Sequence, residues 1–282
     1  MTLAEWGAAT RPRTLGAALV PVAVGVALTA NTGRVRLGVA LLTFVVAALI
    51  QVTTNFANDY FDAQHGADGP DRLGPARVSG RDAASARAIR SGMLVAAVLA
   101  AVLGVGLVAI GGLPILCIGA SALVAAIAYT GGPYPLAYHG WGDAFVFVFF
   151  GPVAVAGTLW LQGLALDGRA AAAGVALGAL ATTMLVVNNV RDAASDARVG
   201  KRTLAVRWGV SAMRVWYGSL VGAAFVVGAI GVTPLVLLAV PLGVAEYVWF
   251  RRRTGAALNA SLGGAARLHA IVGLLLAIGA LV

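Results

Sequence analysis

The chain has 282 residues, of which 60% are hydrophobic and only 11% charged; a soluble protein carries about 25% charged residues. Its mean hydropathy is +0.89 and apolar stretches of 17 or more residues recur along its length, which excludes a water-soluble domain and identifies an all-α, polytopic membrane protein. The net charge of +9 does not point to nucleic acid, because the basic residues gather in short segments between apolar spans. A single cysteine, Cys117, excludes an intramolecular disulfide framework and reads as a small packing residue.

In chain order, nine transmembrane spans are expected at about 15–31, 37–58, 91–110, 113–130, 142–162, 170–190, 212–231, 233–250 and 265–282. Arg11 and Arg13 followed by apolar residues have the outline of a signal peptide, but the spans that follow at once favour an uncleaved first helix. Gly111-Gly112 and Thr233-Pro234 mark turns, and Pro21, Pro152 and Pro241 predict kinks inside spans. Seventeen of the 20 Lys and Arg residues fall in the N-terminal segment, in the loops after the second, sixth and eighth spans or, for Arg214 and Arg267, in the first turn of the span that follows such a loop, leaving Arg34, Arg36 and Arg169 on the other side. That asymmetry predicts a cytoplasmic N-terminus and an outside C-terminus in the inner (cytoplasmic) membrane. No separate soluble domain is visible, so residues 1–282 read as one integral-membrane unit. The segment from Gly66 to Gly80 reads as an ordered loop.

Two polar runs end apolar segments on the cytoplasmic side. In the first, Asn55, Asn58, Asp59 and Asp62 have offsets that place them on one helix face; in the second, Asn188, Asp192 and Asp196 share a face and Asn189 lies one turn before Asp192. Acids are expensive beside hydrocarbon. Four carboxylates facing one cleft repel one another unless cations enter, and carboxylate and amide oxygens suit Mg²⁺. Capping of helix ends accounts for either run alone but poorly for both together. Arg72 and Arg77 follow the first run, and Arg191, Arg198, Lys201 and Arg202 the second. Such cations beside metal-binding acids suit a strongly anionic ligand; the other arginines read as topology signals. The stretch from Tyr129 to Asp143 carries Tyr129, Tyr134, Tyr138 and His139 without Lys or Arg. Its aromatic rings suit a developing carbocation or, equally, an interfacial belt, and His139 suits a base or a structural role.

At these residues the chain resembles the UbiA superfamily of intramembrane prenyltransferases. The resemblance rests on Arg11-Pro-Arg13-Thr-Leu, Asn55 to Asp62, Arg72-Leu-Gly-Pro, Tyr129-Thr-Gly-Gly-Pro-Tyr134-Pro, Asn188-Asn-Val-Arg191-Asp192 with Asp196, and Gly200-Lys201-Arg202-Thr203-Leu-Ala-Val-Arg207. It runs from about residue 6 to 210 and is most similar to the branch acting on 1,4-dihydroxy-2-naphthoate in menaquinone biosynthesis. It implies nine helices around a central cavity that opens to membrane lipid, Mg²⁺ dependence, and a polyprenyl diphosphate donor. It further implies Mg²⁺ held by Asp59, Asp62, Asp192 and Asp196, with Asn55, Asn58 and Asn188 orienting that shell. Arg72, Lys201 and Arg202 would neutralise phosphate, Tyr129 and Tyr134 would contact substrate, and Arg11 or Arg13 would meet the acceptor carboxylate. Competing readings are another aromatic acceptor, such as 4-hydroxybenzoate or homogentisate, and a cation-coupled transporter. Transporter sites, however, lie near the midplane on broken helices, whereas these acids lie at helix ends.

Overall fold

The structure is a computed structural model that describes residues 1–30, 32–33, 35–66, 73–74 and 77–282, and only the backbone of Arg13. Arg72 and much of the Gly66–Gly80 segment thus lie outside the described residues. Those described form ten α-helices and no strand: α1 (Leu3–Ala9), α2 (Pro12–Ala30), α3 (Leu37–Gln64), α4 (Ala83–Ala128), α5 (Gly142–Val148), α6 (Ala154–Leu161), α7 (Gly168–Arg198), α8 (Leu204–Gly231), α9 (Val240–Arg252) and α10 (Leu258–Leu281).

Seven helical stretches are long and apolar enough to cross a membrane, or eight if the bent pair at the N-terminus is one span. One of them, α4, has 46 residues; at ~1.5 Å per residue it is more than twice as long as a bilayer core of ~30 Å. It breaks at Gly112, with φ 66° and ψ −152°, a conformation that a side chain forbids. Counting its two arms separately brings the crossings among the described residues to nine, as read from the sequence.

Proline does different work at each site. Pro21 lies within α2, and Pro152 lies in a π-helical turn, Phe149–Val153, that joins α5 to α6. Pro241 was expected to kink a span; it instead falls in the first turn of α9, where its missing N–H has no helical partner to lose. Cys117 is exposed on the second arm of α4 rather than packed inside.

The interior is organised around α7. In its apolar window 78% of residues are buried, against 28% for α3 and 22% for α4. Leu177, Leu180, Val186 and Val187 of α7 pack against Met213 and Tyr217 of α8 and Leu268 and Leu276 of α10. α7 also crosses the α5–α6 turn backbone to backbone: a Cβ on Gly178 would strike the Phe147 carbonyl, and one on Gly174 would strike Pro152. A smaller cluster seats α1 on α3 and α4, with Trp6 edge-on to Phe56 at 5.6 Å between centroids.

Candidate active site

The C-terminal ends of α3 and α7 meet at one end of the bundle around a polar cavity of about 90 Å³. Its walls include Asn58 and Asp62 from α3, Asn188, Asn189, Asp192 and Asp196 from α7, and Lys201 from the turn after α7. That turn is fixed by its backbone: Lys201 N–H donates to the Asp196 carbonyl at 2.9 Å, Arg202 N–H to the Tyr138 carbonyl at 2.9 Å, and Thr203 caps α8. Lys201 Nζ consequently stands between the two polar runs, 3.6 Å from Asp62 Oδ1 and 3.7 Å from Asp196 Oδ1, and 5.3 Å from the centre of the Tyr138 ring.

Each acid of the cavity has its own setting. Asp62 is 2% exposed; it accepts from Arg77 at 2.7 Å and from the Tyr138 hydroxyl at 3.2 Å. Burial, and then the Asp62 carboxylate beside it, pushes the Tyr138 phenol above its ordinary range, so it stays a proton donor. Arg77 also donates to the Asn58 carbonyl, and Thr130 donates to Asn58 Oδ1 at 3.0 Å. Arg191 holds Asp192 with two bonds, of 2.8 and 2.6 Å. Its third nitrogen donates to Asn259 of α10 at 2.7 Å, and Asn259 donates in turn to the Leu73 carbonyl at 2.9 Å.

Asp59 is placed differently from the direct ligand expected of it. Its carboxylate accepts the backbone N–H of Ser79 at 3.0 Å and of Val78 at 3.4 Å, and it is not part of the cavity wall. The reason is helical geometry: neighbouring residues project about 100° apart, so Asn58 and Asp62 face the cleft while Asp59 faces the segment leading into α4. Asn55 likewise binds the chain around the start of α2, donating to the Thr10 carbonyl at 2.8 Å and to Thr14, in the first turn of α2, at 3.2 Å.

A second cavity, of about 540 Å³, runs from the polar one into the bundle between α2, α3, α4 and the α5–α6 span. Its walls are almost wholly apolar, among them Ile50, Leu107, Leu123 and Phe149. Arg11, Asn58, Tyr129, Leu185 and Asn188 line both cavities and mark where they join. Arg11 reaches that junction from a left-handed backbone conformation, φ 50°, which costs a non-glycine residue free energy.

Of the other expected contacts, Tyr134 is 54% exposed and stacks on His139 at 3.6 Å, away from both cavities. Arg202 is exposed, and only its backbone takes part. Arg72 and the Arg13 side chain lie outside the described residues. Conversely, Arg77 and Tyr138, read in the sequence only as members of a cation group and an aromatic stretch, take specific places at the site, and Asn259 and Asp143 take part without having been assigned a role. Arg77 and Tyr138 had a local signal, in one case as a cation after the first run and in the other as an aromatic. Asn259, far along an apolar segment, had none.

Among the described residues no three His, Cys, Asp or Glu side chains stand close enough to hold a metal by themselves. The donor set nevertheless fits a hard cation that arrives with a phosphate. Asp62, Asp192 and Asp196 and the amides of Asn58 and Asn188 present oxygen to one cavity, and Mg²⁺ characteristically takes one or two carboxylates and completes its shell with water and phosphate oxygens.

The family model described as the UbiA prenyltransferase family matches residues 18–278. The chain belongs to the UbiA prenyltransferase family. Among its UbiA relatives, a Mycobacterium tuberculosis protein named 1,4-dihydroxy-2-naphthoate octaprenyltransferase is 39% identical over 240 residues, 85% of this chain and 80% of that one. The Escherichia coli protein of the same name is 38% identical over 221 residues, 76% of this chain and 72% of that one. The fold is that of a UbiA homolog from Archaeoglobus fulgidus bound to DMAPP and Mg²⁺, with a TM-score of 0.65 at 16% identity over 97% of this chain and 99% of the other.

Proposed function

We propose that this chain, acting as one integral-membrane unit, transfers a polyprenyl group from polyprenyl diphosphate to 1,4-dihydroxy-2-naphthoate, releasing diphosphate and CO₂ and yielding a demethylmenaquinol. The observation that carries this reading is the junction of a small cavity of cations, acids and amides with a large apolar chamber. A diphosphate head and an isoprenoid tail are the two halves of one molecule that such a pair of cavities accommodates. The acceptor follows from the relatives' names and their 38–39% identity over most of this chain. The skew of basic residues supports a cytoplasmic-membrane location with the active site facing the cytoplasm.

In this reading Lys201 and Arg77 bind phosphate oxygens, while Asp62, Asp192 and Asp196 hold Mg²⁺, with Asn58 and Asn188 orienting the group. When bound, Mg²⁺ supplies neutralisation of the charge that builds on the departing diphosphate. The allylic C–O bond breaks with its electron pair on the diphosphate, because the cationic cavity stabilises that charge more than it does the intact ester. Tyr129, at the junction, faces the allylic cation, and the apolar chamber keeps water from it. The electron-rich ring forms the new C–C bond, and loss of the carboxylate as CO₂ returns an electron pair to the ring. Arg11, at the same junction, is placed to receive the acceptor carboxylate before it leaves.

The test is a mass-spectrometric assay of the protein in nanodiscs, with 1,4-dihydroxy-2-naphthoate, 4-hydroxybenzoate or homogentisate, donors of several lengths, and Mg²⁺ or EDTA. Prenylated, decarboxylated product is expected with the naphthoate and Mg²⁺, and none with EDTA. Turnover of another acceptor in place of the naphthoate would overturn the reading.

A further inference from the structure

The polar cavity contains a carboxylate that belongs to neither Asn/Asp run. Asp143 opens α5, is 6% exposed, and lines the cavity together with Tyr129, Leu185 and Asn188, all of which also line the apolar chamber. Its Oδ1 accepts from the Trp216 indole of α8 at 3.2 Å, which fixes the carboxyl group. The two elements that carry Asp143 and Tyr129 touch, since a Cβ on Gly142 would meet the Tyr129 hydroxyl at 2.7 Å.

What sets Asp143 apart is its company. Asp62 has Arg77 and Lys201, Asp192 has Arg191, and Asp196 has Lys201. Among the described residues no cation pairs with Asp143. A buried carboxylate without a counter-charge repels a diphosphate and gains most from a hydroxyl that donates to it. At this end of the cavity it therefore suits the acceptor rather than the donor.

We propose that Asp143 is a specificity-determining residue whose carboxylate accepts a hydrogen bond from a ring hydroxyl of the aromatic acceptor. This rests on the prenyl-transfer reading above and names one of its acceptor contacts. The bond orients the ring at the junction where the allylic carbon must lie, and it pushes hydroxyl electron density into the ring that attacks. It also gives the site a means of refusing rings that lack the hydroxyl, because such a ring would leave the carboxylate desolvated and unpaired.

The test uses D143N, which keeps an oxygen to accept from Trp216 and removes only the charge, so a purely structural role predicts no change. With the protein in nanodiscs, D143N should raise the acceptor KM by about 10- to 100-fold while the donor KM stays within about twofold. Competition binding with naphthoates lacking one or the other hydroxyl supplies a second readout. Loss of one hydroxyl should weaken binding to the unmutated protein by about tenfold or more, and the same loss should change D143N by less than about threefold. An unchanged acceptor KM in D143N, or equal rises for donor and acceptor, overturns the proposal. Should D143N fail to fold, an unmutated protein indifferent to both hydroxyls overturns it equally. If the unmutated protein turns over a different hydroxylated acceptor, the naphthoate assignment fails, and the hydroxyl dependence is read on that acceptor.

Discussion

Asp62 and Asp196, on α3 and α7, share one ammonium group: Lys201 Nζ is 3.6 Å from the first and 3.7 Å from the second. The two polar runs are thus tied together by a cation before any ligand arrives, and in the proposed function that cation binds phosphate. K201A should raise the donor KM by about 10- to 100-fold, because a charged hydrogen bond and the relief of carboxylate repulsion are lost together. The acceptor KM should change far less. Initial rates against each substrate in turn check this, and a rise confined to the acceptor would remove Lys201 from the phosphate site.

Asp59 and Asp62 should separate by phenotype. D62A removes a cavity carboxylate and should cut turnover by at least ~100-fold and shift the Mg²⁺ titration; because it also strands the buried Arg77 guanidinium, its melting temperature should fall as well. D59A instead strands the buried N–H of Ser79 and should cost about 1–3 kcal/mol of stability. The Mg²⁺ concentration for half-maximal rate should stay put in D59A. Turnover and Mg²⁺ titrations distinguish the two, and a shifted titration in D59A would make Asp59 a ligand after all.

Asn259 joins Arg191 to the Leu73 carbonyl. N259A frees the guanidinium that holds Asp192 and should lower kcat about tenfold with little change in acceptor KM. N259D, which keeps an oxygen for Arg191 but loses the amide donor, should recover part of that loss. Wild-type kinetics in N259A would show that Arg191 holds Asp192 without help.

The crossing of α7 over the α5–α6 turn has no room for a methyl group at Gly178. G178A should destabilise the protein by about 1–3 kcal/mol. In G222A, where the new Cβ meets nothing within 4 Å, the melting temperature should hold. Parallel melts in one detergent measure the difference.

Much of this was legible from spacing alone. Hydropathy located the crossings, and Gly111-Gly112 marked the break in α4. The i, i+4 spacing of Asn188, Asp192 and Asp196 placed them on one side of α7. The same argument was too coarse for α3, where a polar stripe wide enough to hold Asn58 and Asp59 faces two surroundings at once. Asp143 was hidden differently, since a lone acid at the start of a span looks like a helix cap until its lack of a cation is seen in three dimensions. Asn259 lies in a segment whose sequence carries only the membrane signal, and its role depends on a chain separation that no local pattern encodes.

The unequal burial of α7 against α3 and α4 bears on how this enzyme would diverge. Side chains on the central helix are wedged on all sides, so changes there are felt first as misfolding. Those on the flank formed by α3 and α4 have the chamber on one side and the outer surface on the other, and their size can drift without unseating the bundle. Preference for tail length should therefore evolve along that compliant flank, while the reacting end stays pinned to the rigid one.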